Sequence, residues 1–261
     1  MPPSTEKITK RFILSTSFRI FDPLGFVSPC IIIPKLIMQQ LWIDKVDWDD
    51  EISNDMQRAW LKFYNTLNNL FLLSIPRKVL CDLPVIIELH SFSDASQRAY
   101  GACIFVKSVD VAGNVSVNLL CSKSKVAPVK VCTIPRLELC AAVLAARLCK
   151  AVADSLRSPI ERRIHWCDSS VVLAWLRTSS RKLKAFVANR VAEVLELTDV
   201  GCWRYVPTLQ NPADLISRGA YPEELQNNNL WWSGPEFLLN ESSWPTLSRD
   251  VQQDLNDLEL K

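Results

Sequence analysis

The spacing of apolar side chains divides the chain into stretches of different period. From Pro29 to Trp42, and again from about Asp50 to Leu73, apolar positions recur at helical spacing. In the second of these, Ile52, Met56, Trp60, Phe63, Leu67 and Leu70 form a stripe that reads as core or packing surface. "FDPLGF" (Phe21 to Phe26), just ahead of the first helix, is turn chemistry. From Val85 the period shortens to two. Val85, Ile86, Ile87 and Leu89 open a strand that ends on Asp94, and "RAYGACIFVKSV" then sets Tyr100, Ala102, Ile104 and Val106 on one face. The turn "DVAGN" leads to a third strand, "VSVNLLCSKS", completing an antiparallel meander.

The period then returns to helical in "TIPRLELCAAVLAARLCKAVADSL", with Pro135 in the first turn. A fourth strand, "RRIHWCD", precedes the helices "SSVVLAWLR" and "AFVANRVAEVLELT", which are joined by the basic "RKLK". A fifth strand, "CWRYVPT", and a short helix, "NPADLISRG", follow; Asn211 caps that helix and Gly219 lies past its end. The order β-β-β-α-β-α-α-β-α predicts an α/β fold: one mixed five-stranded sheet with helices on its faces. An N-terminal helical unit (1–80) precedes the sheet domain (81–220), and a mostly irregular acidic tail (221–261) follows it.

The remaining composition mainly excludes. No apolar run reaches the ~18–20 residues of a membrane span; "LGFVSPCIIIPKLIM" is broken by two prolines, a glycine and a lysine. The polar start "MPPSTEKITKRF" has no secretory pattern. Nine cysteines, an odd number with no C-x-x-C pair, argue against a disulfide framework and against structural zinc, and place the protein inside the cell. The two histidines, His90 and His165, complete no ligand set. Net charge is only +2, yet residues 121–190 carry fourteen Lys and Arg against four Asp and Glu. Residues 221–261 carry eight acids against two bases. A basic middle suits a polyanion partner, or simply a solvated face.

Four acids hold related places. Asp94 ends the first strand and Asp168 the fourth, Glu138 lies early in the long helix, and Asp214 sits in the first turn of the last helix. Each has a structural alternative: Asp168 as a helix cap, Asp214 and Glu138 as favourable charges near helix N-termini, Asp94 as a turn starter. Together they suggest one cluster. Ala141, Ala142, Ala145 and Cys149 give the long helix a small-residue face that would let Glu138 approach the sheet. Packed carboxylates repel unless a cation joins them, and Mg²⁺ takes such oxygen ligands.

With these residues in view, the chain resembles the Pol polyprotein of BEL/Pao-type LTR retrotransposons in its ribonuclease H region. The resemblance is carried by the ordered series "FDPLGFVSP", "LHSFSDAS", "YGAC", "SKSKVAPVK", "TIPRLEL", "CDSSVVLAWL", "FVANRV", "NPADLISRG" and "LWWSGPEFL". It implies a ribonuclease-H-like fold and hydrolysis of the RNA strand of an RNA–DNA hybrid. The implied cofactor is two Mg²⁺ ions, or Mn²⁺, held by Asp94, Glu138, Asp168 and Asp214. Substrate contacts are expected from Ser93 and Ser96, from Lys123, Lys125 and Lys130, and from Arg181, Lys182 and Lys184.

The resemblance also makes residues 1–80 the region joining a missing polymerase to the ribonuclease H, and 221–261 the approach to a missing integrase. Those polyprotein portions are then partners, in the cytoplasm or a virus-like particle. The histidine that often accompanies the last acid is absent, since none follows His165, which leaves Arg218 as a candidate for that place. The competing expectations are a non-catalytic nucleic-acid-binding or scaffolding remnant of the polyprotein, and a nuclease of the same fold acting on DNA. Trp166, Trp175 and Trp203 are expected in the core rather than stacked on bases.

Overall fold

The computed structural model describes residues 7–246. Five strands form one sheet in the order β3-β2-β1-β4-β5: β1 Pro84–Ala95, β2 Ala99–Asp110, β3 Val115–Val126, β4 Arg162–Cys167 and β5 Trp203–Tyr205. The first three are antiparallel neighbours, while β4 and β5 run parallel to β1. The mixed sheet read from the alternating pattern is present, and the fold is ribonuclease-H-like.

Among the described residues nine α-helices surround the sheet: α1 Lys10–Ser17, α2 Ser28–Ile43, α3 Asn54–Tyr64, α4 Ile134–Ser155, α5 Ser170–Arg177, α6 Ala185–Leu197, α7 Asp214–Arg218, α8 Pro222–Gln226 and α9 Asn229–Ser233. One face of the sheet packs on α4: Ile87, Leu89, Ile104 and Val106 meet Cys149 there. Ala141, Ala142 and Ala145 of α4 are wholly buried, so the small-residue face does bring this helix close to the strands. Helices α4, α5 and α6 share a second cluster with Trp203.

The opposite face carries Phe92, Phe105 and Trp166. It is covered by the N-terminal unit and by residues 221–246 in one continuous core that includes Ile13, Trp60, Phe63, Trp231, Phe237 and Leu238. The segment expected as an acidic tail is irregular in that it contains only single helical turns. Its described part is nevertheless a structural layer of the sheet domain. It carries four acids and no Lys or Arg, but Trp231 and Leu238 are fully buried and Trp231 Nε1 donates to the Phe26 carbonyl. Residues 247–261 lie outside the described part.

The N-terminal unit differs from the pattern-based reading in two places. Helix α1, capped by the Thr9 hydroxyl, is additional. The stripe from Asp50 to Leu73 is split, with α3 ending at Tyr64 and a 3-10 stretch following at Leu67–Leu72. Asn65, Asn68 and Asn69 lie at that break, and short polar side chains compete for the backbone bonds a continuing helix would need.

"FDPLGF" shields the sheet edge. The Asp22 carboxylate accepts from the Phe26 and Val27 amides at 2.8 and 2.9 Å, and the Leu24 carbonyl accepts from Ser122 N of β3 at 2.8 Å. Gly25 is required there: at φ 78° any Cβ would sit 2.0 Å from the Ser122 carbonyl oxygen. The loop thus occupies part of an edge strand that would otherwise offer unpaired backbone groups.

Candidate active site

The parallel register between β1 and β4 pairs Ser93 with Cys167. One step further, at the carboxyl ends of the two strands, Asp94 and Asp168 lie side by side. Helix α4 on one face and α7 on the other bring Glu138 and Asp214 round to the same edge. The charges of Asp168 and Asp214 act on Asp94, and that of Asp168 acts on Glu138. The four acids expected from sequence are therefore electrostatic neighbours.

Burial, with repulsion between neighbours, pushes the carboxyls of Asp94, Glu138 and Asp168 upward. Asp94, 6% exposed, is raised to about 7 by burial and then by Asp168, partly offset by a hydrogen bond from Ser217. Burial also raises Glu138, against a hydrogen bond from the Ser169 side chain, and raises Asp168, against the side chains of Thr208 and Asn211. Oδ1 of Asp168 is buried with no hydrogen-bond partner. Buried polar atoms are nearly always paired, so this oxygen marks a place for another donor or a cation.

The donor set, all carboxylate oxygens, fits a hard divalent ion in kind. The arrangement is not a finished cage, because no group of three or more His, Cys, Asp or Glu able to hold a metal exists among the described residues. Two of the acids take partners from α7 itself. Ser217 Oγ donates to Asp94 Oδ2, and Arg218 Nε donates to Asp214 Oδ1 at 2.5 Å. Arg218, suggested for the place of a histidine, pairs with the last acid, and the charges of Asp94 and Asp168 also act on it.

The expected substrate contacts divide. Ser93 is 1% exposed with its hydroxyl directed at the Trp166 carbonyl. Ser96 Oγ donates to the Ser217 carbonyl at 2.7 Å and accepts from the Arg98 and Ala99 amides. Both serines are therefore internal fasteners, not hydroxyls facing a ribose. The alternating pattern could not reveal this, since their partners lie about 70 and 120 residues away.

Lys123, Lys125 and Lys130 are exposed on β3 and the loop that follows. Arg181, Lys182 and Lys184 are exposed in and after the 3-10 turn Ser180–Lys182, between α5 and α6. Trp166, Trp175 and Trp203 are buried, as expected.

Three arginines, Arg136, Arg147 and Arg190, escaped the sequence reading. Lys125 shares a cavity of about 230 Å³ with Tyr100, Cys140, Arg147, Asn189 and Arg190, between α4 and α6. The Arg190 guanidinium lies 3.5 Å from the Phe186 ring centre and its Nε donates to Cys140 Sγ at 3.3 Å; Arg136 stands over the same ring at 5.0 Å. Helical spacing offered only a faint signal: Arg136, Cys140, Val143 and Arg147 fall on one face of α4, and Phe186 and Arg190 are four apart on α6.

A family model described as the Pao retrotransposon-like RNaseH-like domain matches residues 9–169. The chain belongs to that family. The match spans Asp94, Glu138 and Asp168 and begins inside the N-terminal unit, so that unit is part of what the family shares. No curated protein matches the chain.

Among solved structures, RNase H1 from Halobacterium salinarum NRC-1 is 14% identical, covering 49% of this chain and 89% of its own at a TM-score of 0.31. LC11-RNase H1 in complex with an RNA/DNA hybrid is 17% identical, with coverages of 50% and 92% and a TM-score of 0.34. The N-terminal RNase H domain of a Mycobacterium tuberculosis protein, solved as a maltose-binding-protein fusion, is 11% identical, with coverages of 54% and 94% and a TM-score of 0.34. No helix among the described residues is long and apolar enough to cross a membrane.

Proposed function

We propose that this chain is a divalent-cation-dependent endoribonuclease that hydrolyses the RNA strand of RNA–DNA hybrids during retrotransposon reverse transcription. One observation carries the reading. The ends of two adjacent parallel strands and two helices from opposite faces bring four acids to a single edge, where burial and like charge raise Asp94, Glu138 and Asp168 together. A protein gains nothing in stability from such an arrangement; a dication relieves it.

In this reading Asp94, Glu138, Asp168 and Asp214 hold two Mg²⁺ ions, or Mn²⁺ in their place. When bound, such ions activate a water and stabilise the leaving oxygen in phosphodiester cleavage. The chain's other side chains bind the polyanion. Lys123, Lys125, Arg147 and Arg190, with the lysine and arginine pair at 181–182, supply phosphate contacts, so hybrid affinity falls with salt. Ionised acids are required at the edge, which places the working range toward neutral and higher pH. The nine free thiols fit an intracellular setting, cytoplasmic or within a virus-like particle. We assign the polymerase and integrase portions of the same polyprotein as its neighbours.

The test is cleavage of an end-labelled hybrid in Mg²⁺ against the same protein in EDTA. Cutting of the RNA strand only, lost in EDTA and in Asp94→Asn, supports the enzyme. The Arg218–Asp214 ion pair and the unfinished cation cage favour a second reading, a hybrid-binding remnant that does not cut. Tight binding in EDTA with no cleavage in Mg²⁺ or Mn²⁺ would establish that reading instead.

A further inference from the structure

Helix α7 is five residues long, too short to hold its own position, yet it carries the fourth acid. Its placement comes from bonds to β1. Asn211 Nδ2 donates to the Ser93 carbonyl at 3.0 Å and Asn211 Oδ1 accepts from Ala213 N at 3.1 Å, fixing the approach. Ser96 Oγ donates to the Ser217 carbonyl at the far end. Between these fasteners Ile216 lies against Gly101, where a Cβ would come within 2.3 Å of Ile216 Cγ2; the helix rests directly on the backbone of β2.

At the centre of this seam is Ser217, 1% exposed. Its hydroxyl lies against Asp94 Oδ2 and within 3.1 Å of the Asp214 carbonyl. One buried hydroxyl therefore touches the side chain of the first acid and the backbone of the last.

We propose that Ser217 is a positioning residue of the acidic site: its hydroxyl fixes the orientation of the Asp94 carboxylate and, through one helical turn, its separation from Asp214. This rests on the metal-site reading above and adds to it a residue that is neither acid nor substrate contact. Groups that orient ligating carboxylates change metal affinity or turnover by roughly 10–100-fold when removed.

Ser217→Ala, Ser217→Thr and Ser96→Ala are compared with wild type on the full chain. The readouts are the Mg²⁺ or Mn²⁺ concentration giving the half-maximal thermal shift, kcat and KM on the hybrid, and hybrid binding in EDTA. Ser217→Ala is expected to raise the cation midpoint about tenfold and lower kcat similarly, with KM and EDTA binding within about twofold of wild type. Ser217→Thr, which keeps the hydroxyl, restores much of both. Ser96→Ala, which loosens α7 without touching an acid, shifts the midpoint less in the same direction.

A Ser217→Ala protein with wild-type midpoint and kcat overturns the role, as does one whose KM rises while kcat and midpoint stay put. If wild type itself shows no cation-dependent shift, the metal reading of the whole cluster falls and the Ser217 role with it. A normal wild-type shift matched by Ser217→Ala removes only the Ser217 role.

Discussion

Strand β1 carries a buried acid near each end, and the two are treated in opposite ways. Glu88 is 2% exposed and Asp94 is 6% exposed; they are six residues apart and face the same side of the sheet. Burial alone would raise both. At Glu88 it is outweighed by hydrogen bonds from His90 and Arg162 and by the Lys107 charge, which hold the carboxyl down at about 2. Arg162 Nε lies 2.6 Å from Glu88 Oε1, and Arg162 also grips Glu241 at 2.9 and 2.8 Å.

Trp166 Nε1 donates to His90 Nδ1 at 3.1 Å, and an indole can only donate. His90 is therefore the tautomer whose Nε2 proton faces Glu88, at 3.3 Å. At Asp94 the neighbours are other acids and a serine, and the carboxyl rises to about 7. A buried acid given its own cations is a structural clamp. One set mainly among other acids keeps a raised carboxyl, and under the proposed function that carboxyl takes a cation from outside.

The strongest break of this contrast is Glu88→Ala. It leaves Lys107 and His90 buried without their acid, and unpaired buried charge costs about 3–5 kcal/mol. Denaturant unfolding should show that loss, while the cation midpoint at the other end stays unchanged; a shifted midpoint would mean that the two ends are not independent.

Next comes Asp94→Asn in EDTA. An acid raised from the ordinary aspartate value of 3.8 to about 7 on folding destabilises the native state progressively as pH climbs between those values. The variant's advantage over wild type should grow from nothing near pH 4 to about 4 kcal/mol above pH 7, then level off. The two histidines titrate identically in both proteins and cancel. An advantage independent of pH would contradict the raised carboxyl. Asp168→Asn has the same sign, so it should melt no lower than wild type without metal.

Arg162→Ala is smaller, because His90 and Lys107 still hold Glu88. Losing charged hydrogen bonds of this kind costs about 1.5–3 kcal/mol, and Trp244, which stacks edge-on to His90 and Trp166, should report it through fluorescence. The smallest effect belongs to Arg218→Gln. Arg218 is exposed and its pair with Asp214 spans one helical turn, so stability should move by no more than about 0.5 kcal/mol. With that counter-ion gone, the cation midpoint should fall severalfold; an unchanged midpoint would show that Arg218 does not compete for Asp214.

Much of this was legible along the chain because it is local. Period-two and period-3.6 patterns placed the sheet strands and the long helix, and the four acids stood out because each lies where such a pattern stops. The acids' structural alternatives were fair one at a time; it was their common place at pattern ends that pointed to a cluster. What misled was polarity taken as exposure. Ser93 and Ser96 look like substrate contacts beside Asp94, but β1 is central and α7 closes over its end, so their hydroxyls are used inside. The acidic composition of residues 221–246 likewise hid four aromatic or aliphatic anchors, Trp231, Phe237, Leu238 and Trp244, that settle on the sheet.

By itself the sequence determined the strand and helix order and the type of chemistry at the strand ends, since side-chain alternation and carboxylate charge are properties of short stretches. Which acid became a clamp and which was left with a raised carboxyl was decided only in three dimensions. Glu88 and Asp94 look alike along the chain; they differ because Lys107 on β2 and Arg162 on β4 fold against one, whereas Asp168 and Asp214 approach the other. Electrostatic energy depends on distance through space, and separation along the backbone does not report it.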